Sequence, residues 1–316
     1  MNSLSPVRPG SPRIGVALGS GSARGWSHIG VLRVLEGAGI SPDIVCGTSI
    51  GALVGAAYAA DELDRLETWV KSLTWQSVVA LLDVKLGGGG LISGARLLDF
   101  FRAQFTDPGI AQLPKTYAAV ATELATGREL WLREGPVIDA VRASIALPGL
   151  FTPAQWDGRL LVDGGLVNPV PVSLCRALGA DIVIAVDLNW DLVGRQHRTA
   201  IQSDAAPTEI PPALASIMAK LPLGRGKNGQ KTTVELPSML EVLTTSLNIM
   251  QVRITRSRLA GEPADVMIRP RLSDIASMDY HRAAAAIAEG QRAAEQALPE
   301  IKELLETSTI HRTSAE

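Results

Sequence analysis

Ile44-Val45-Cys46 is apolar at successive positions, the pattern of a parallel strand covered on both faces, and small or apolar residues then recur at helical spacing from Gly51 to Ala60. Between the two stand only Gly47-Thr48-Ser49 and Ile50. A similar succession precedes them. Ile14 to Leu18 is apolar, Gly19 to Gly25 is rich in glycine and serine, and Ile29, Val31, Leu32, Val34 and Leu35 form a helical stripe that Gly37 and Gly39 close. Together they predict a strand, loop, helix and second strand, with the two strands parallel. In an open parallel sheet both polar joints then emerge at the carboxyl edge, where such folds place their ligands.

Further along, Leu63–Val79 and Ala95–Phe105 read as helices around a Gly87–Gly90 surface turn, a part expected to be scaffold. Tyr117–Thr122 and Glu129–Leu132 predict strands, Val137–Ala146 a short helix, and Gly158–Gly165 a turn and short strand that end in Asp163-Gly164-Gly165. Asn168-Pro169-Val170-Pro171 opens a helix to Leu178, and Asp181–Asp187 is a buried strand. Leu240–Leu259 predicts a long helix, Val266–Ile268 a last strand, and Tyr280–Leu305 an alanine-rich helix interrupted near Pro299. The alternation predicts one α/β domain over 14–306, a flexible leader at 1–13 and a flexible tail at 307–316.

Residues 195–231 break the pattern. They carry Pro207, Pro211, Pro212, Pro222 and the loop Gly224–Gln230, which predicts a mobile insertion or lid. An apolar stripe of Leu214, Ile217, Met218 and Leu221 runs beside Lys220, Arg225, Lys227 and Lys231, with no acid between Glu209 and Glu235. That combination suits an anionic interface, and the alternative is an insertion packed on its own domain.

Gly47-Thr48-Ser49-Ile50-Gly51 fits the G-x-S-x-G nucleophile elbow, in which a tight strand-to-helix turn holds one serine in strained backbone geometry. The N–H groups of the following helix then aim at the spot where an oxyanion develops in acyl transfer. The glycine loop alone also suits a dinucleotide fold, but Arg24 occupies the place of the third small residue, and no acidic residue ends the second strand. With 30 Lys+Arg against 32 Asp+Glu over 316 residues, net charge is -2, which leaves no overall footprint for nucleic acid. Cys46 and Cys175 have neither metal-ligand nor disulfide spacing and read as core residues of a reducing compartment. None of His28, His197, His281 and His311 has a setting that suggests the third member of a triad.

Three ordered motifs, Gly19-x-Gly21-x-x-Arg24-Gly25, Gly47-x-Ser49-x-Gly51 and Asp163-Gly164-Gly165, resemble the patatin-like phospholipase family, closest in flavour to its bacterial RssA-like branch. Ala143–Phe151 and Asn168-Pro169-Val170-Pro171 look similar as well, and the likeness runs from about Ile14 to Val186. The resemblance implies a three-layer α/β/α fold with a mostly parallel central sheet, and a Ser-Asp dyad with Ser49 as nucleophile and Asp163 as base. It implies an oxyanion hole from the amides of Ser20, Gly21 and Ser22, joined by Ile50, within the loop Gly19 to Gly25. Arg24 is expected to brace that loop, with lipid-phosphate binding as the alternative. The expected substrate is a lipid or other carboxylic ester, cleaved without metal or cofactor by a cytoplasmic protein with peripheral contact at the inner membrane face. A patatin-fold regulatory or interaction protein with incidental esterase activity is the second reading.

Overall fold

A computed structural model describes residues 12–81, 90–92, 94–192 and 239–313. The expected leader as far as residue 11, most of the glycine turn, the 195–231 insertion and His197 lie outside the described residues.

β1 (Ile14–Leu18) and β2 (Ile44–Thr48) are parallel neighbours joined by α1 (Ser27–Gly37), and α2 (Ile50–Ala59) follows β2. The chain continues through α3 (Leu63–Ser72), α4 (Trp75–Leu81), β3 (Gly90–Ile92) and α5 (Ala95–Gln104) to β4 (Thr116–Glu123) and β5 (Glu129–Leu132). After α6 (Val137–Ser144) come β6 (Gly149–Phe151), β7 (Ala154–Trp156) and β8 (Arg159–Asp163), then α7 (Val172–Ala177) and β9 (Ile182–Val186). α8 (Met239–Gly261), β10 (Val266–Ile268) and α9 (Ala283–Thr313) complete it. The main sheet has the order β10-β9-β1-β2-β4-β8-β7, with β5 branching from β4. Its pairs from β10 to β4 are parallel, and the β4–β8, β7–β8 and β4–β5 pairs are antiparallel.

Side-chain alternation along the strands makes this a three-layer molecule. Val16, Leu18 and Val45 pack into a core shared with α1, α2, α3 and α9. Ala17, Ile44 and Cys46 face the other way, against Val172, Leu174 and Cys175 of α7. The central sheet is mostly parallel, as the motifs implied.

Four expectations change. Leu63–Val79 is two helices, because the chain turns extended at Leu73. α9 runs unbroken through Pro299 to Thr313, so the expected interruption is absent and the expected tail is helical as far as Thr313. Pro299 lies on the exposed face with Glu295, whose carbonyl lacks an i+4 donor because proline has no N–H, while Ala294, Ala297 and Ile301 hold the inner face in the core. Lastly, α3, α4 and α5 are more than scaffold: they wall the cleft described next.

Candidate active site

Strand register brings the two motif residues together. Thr48 of β2 is level with Val120 of β4, and Ala121 is level with Asp163 of β8 on the other side. Ser49 and Asp163 therefore flank β4 from neighbouring strands about 10 Å apart in backbone, within reach of converging side chains. The Ser49 hydroxyl donates to Asp163 Oδ2 at 2.6 Å, and the Gly165 N–H donates to Oδ1 at 2.7 Å.

Ser49 sits at φ 57°, ψ −126°, outside the comfortable range of an L residue. Its flanking glycines make the turn feasible: a Cβ at Gly47 would lie 2.4 Å from Ala52 Cα, and one at Gly51 would lie 2.2 Å from the Leu18 carbonyl oxygen. A residue that sequence reasoning did not single out holds the strained peptide. The Ser49 N–H donates to Ser144 Oγ at 2.8 Å, and the buried Ser144 hydroxyl donates in turn to Val120 O at 2.6 Å. Its signal was the Ala143–Phe151 run, legible as family likeness but not as this contact.

The glycine loop after β1 divides its groups between structure and opening. Gly19 donates to Val186 O, and its carbonyl accepts from His28 Nε2 at 2.8 Å. His28 is fully buried and burial holds its imidazole down to about 4, so it is a neutral brace. Arg24 bends its own Nε–H onto Gly21 O at 3.1 Å and stays a cation, although burial lowers it to about 10. Gly25 packs against the Ile50 side chain. Ser20 departs from expectation: its N–H donates to Pro169 O at 2.8 Å and its hydroxyl to Gln251 Oε1 at 3.0 Å. The Ser20 amide is therefore already spent, whereas the N–H groups of Gly21, Ser22 and Ile50 have no acceptor among the described residues.

Asp163 is 1% exposed, and burial raises its carboxyl to about 6 against the lowering pull of the Ser49 and Gly165 hydrogen bonds. Such a carboxylate is ionised at neutral pH yet more basic than a surface aspartate. Of the other histidines, His281 is exposed and packs edge-on to Trp75, and His311 belongs to the last turns of α9.

Two depressions meet at Ser49. One is an apolar cleft of about 800 Å³, counting its open mouth, with Trp26, Leu53, Trp69, Leu73 and Phe101 among its walls. The other is a polar notch between the glycine loop and α8, lined by Gly21, Ser22, Thr244, Asn248 and Gln251. Gln251 is buried, and its Oε1 also accepts from Asn189 Nδ2 at 3.1 Å, which ties α8 to the loop.

The family model for patatin-like phospholipase matches residues 16–176. The chain belongs to the patatin-like phospholipase family. An NTE family protein of Mycobacterium tuberculosis is 35% identical over 91% of this chain and 92% of that protein. Patatin-like phospholipase domain-containing protein 6 of Mus musculus is 31% identical over 84% of this chain, which spans 19% of that longer protein. Among solved structures, VipD from Legionella pneumophila aligns with TM-score 0.44 and 14% identity over 92% of this chain and 67% of that one. As a family member this patatin-like protein is a lipid acyl hydrolase.

Proposed function

We propose that the protein cleaves carboxylic ester bonds of lipids, of the phospholipase A or lysophospholipase kind, through an acyl-enzyme formed on Ser49. The observation that carries this reading is the 2.6 Å Ser49–Asp163 hydrogen bond at the junction of an apolar cleft and a polar notch. Ser49 Oγ attacks the ester carbonyl carbon as its proton passes to Asp163, and the Gly21, Ser22 and Ile50 amides stabilise the oxyanion. The proton then goes to the departing alkoxide. Water attacks the acyl-enzyme by the same route, gives its proton to Asp163, and releases the acid as Ser49 regains its hydrogen. The acyl chain takes the apolar cleft and the alcohol portion the polar notch.

A fluorophosphonate probe should label the protein once, on the peptide containing Ser49, with or without a chelator. Labelling elsewhere, or none in protein that is folded by circular dichroism, would refute the acyl-enzyme and favour the regulatory alternative.

We also propose peripheral contact with an anionic lipid surface at the inner face of the membrane. No helix among the described residues is long and apolar enough to span one. α8 supports the proposal: Gln251 and its neighbours face the notch, while Val242 and Ile249 on the opposite side and Leu243 and Met250 on the flank between lie 45% to 49% exposed. The double substitution Leu243→Asp and Met250→Asp should reduce cosedimentation with phosphatidylglycerol vesicles by about tenfold, since each removes a buriable side chain and adds a repelled charge. Unchanged sedimentation would rule that face out.

A further inference from the structure

A second hollow of about 420 Å³, counting its open part, adjoins the Ser49 cleft. The two share Leu53 and Phe101 as lining residues, so these side chains stand between them. The hollow opens to solvent and its lining is almost wholly apolar, so hydrocarbon entering it would remove that surface from water. Here the gap follows from residue choice. The stretch of α2 that walls the hollow beyond Leu53 consists of Ala56, Ala57 and the capping Ala60, where a core-facing helix would ordinarily carry larger side chains.

The chemistry of its lining points to hydrocarbon. Its two polar lining residues, Glu62 and Thr106, satisfy each other, with Thr106 Oγ1 donating to Glu62 Oε1 at 3.0 Å and the Thr106 N–H donating to the same oxygen at 3.3 Å. From Leu53 to Ala60 the wall follows about 10 Å of helix leading away from Ser49, in the direction an acyl chain must continue once past Leu53. Phe101 stands across that path, held by edge contacts with Trp69 at 5.5 Å and Phe105 at 5.8 Å between ring centres.

We infer that Phe101, backed by Leu53, ends the acyl cleft and sets chain-length preference, and that the hollow behind it is the compartment the distal methylenes of a longer chain enter once that partition is opened. The inference rests on the proposed hydrolase reading and names its specificity-determining residue.

The test is kcat/KM for p-nitrophenyl butyrate, octanoate and palmitate. Phe101→Ala should raise the palmitate-to-octanoate ratio about tenfold, the scale on which apolar pockets discriminate methylenes. Adding Ala57→Leu, which narrows only the second hollow, should return the ratio to that of the parent. Leu53→Ala opens the same partition from the other side and serves if Phe101→Ala fails to fold. A ratio unmoved by either opening variant, or raised but not reversed by Ala57→Leu, would overturn the inference. If the parent protein hydrolyses none of the three esters, the hydrolase reading itself has failed. Binding of free palmitate to Ser49→Ala, with and without the opening substitution, then tests the compartment by calorimetry: tightening upheld by Phe101→Ala supports it, and equal affinity rejects it.

Discussion

Ser49→Ala is expected to lower turnover of p-nitrophenyl butyrate by on the order of 10⁶, the cost of removing a serine nucleophile outright. The loss should appear in kcat, because the acyl cleft and the polar notch are untouched and substrate can still bind. Stability separates the nucleophile from its geometry. Ala at 49 keeps the strained φ of 57°, whereas Gly adopts it freely, so Ser49→Gly should be about 1 kcal/mol more stable than Ser49→Ala and equally inactive. Both lose the hydrogen bond to Asp163, which leaves backbone strain as the difference between them. Thermal denaturation of the pair measures it. A glycine variant less stable than the alanine variant would show that the elbow stores no strain, and residual serine-independent turnover would show that Ser49 is not the nucleophile.

The elements that carry the site were legible because each is a polar interruption of an otherwise apolar strand end. β1 and β2 each run buried into a small-residue joint, and β8 runs into Asp163-Gly164-Gly165. Their convergence follows from sheet order, which is a property of long-range pairing. Nothing local in β8 states that it lies against the far side of β4 from β2, the strand that leads into Ser49. The cleft walls were illegible for a related reason. Trp69, Leu73 and Phe101 lie on amphipathic stripes, and periodicity records only that a side chain turns inward. Whether it meets a neighbour or a hollow depends on side-chain volumes in other elements, here the alanines of α2. Ser20 shows the same limit in the backbone: its amide belongs to the loop by sequence, yet it is consumed by Pro169, 149 positions away by their numbers. Gln251 offered a faint signal, a polar residue on the face of α8 that also buries Val252 and Thr255.

Burial of Asp163 couples activity to stability through one carboxyl group. The pH dependence of kcat/KM should show an acid limb near pH 6, with activity lost as pH falls through it, because only the ionised carboxylate accepts the serine proton. The sign for stability is opposite. The native state holds this proton more tightly than the unfolded chain, with a pKa of about 6 against 3.8, so the group's contribution is fully present below about pH 4 and is lost as pH rises through about 6. Asp163→Asn removes the buried charge but keeps the shape. Its Oδ1 can accept from the Gly165 N–H and its Nδ2 can donate to Ser49 Oγ. The variant should therefore lose nearly all turnover and, at pH 8, gain stability of up to about 3 kcal/mol, an advantage that shrinks toward pH 4. An acid limb near 6 would also suit a histidine base, so the four histidines must be changed one at a time, with His28→Gln retaining a donor for Gly19 O. Each should leave a Ser49-dependent esterase with its acid limb in place. A folded histidine variant as inactive as Ser49→Ala, or an Asp163→Asn protein that still turns over at the parent rate, would transfer the role of base away from Asp163.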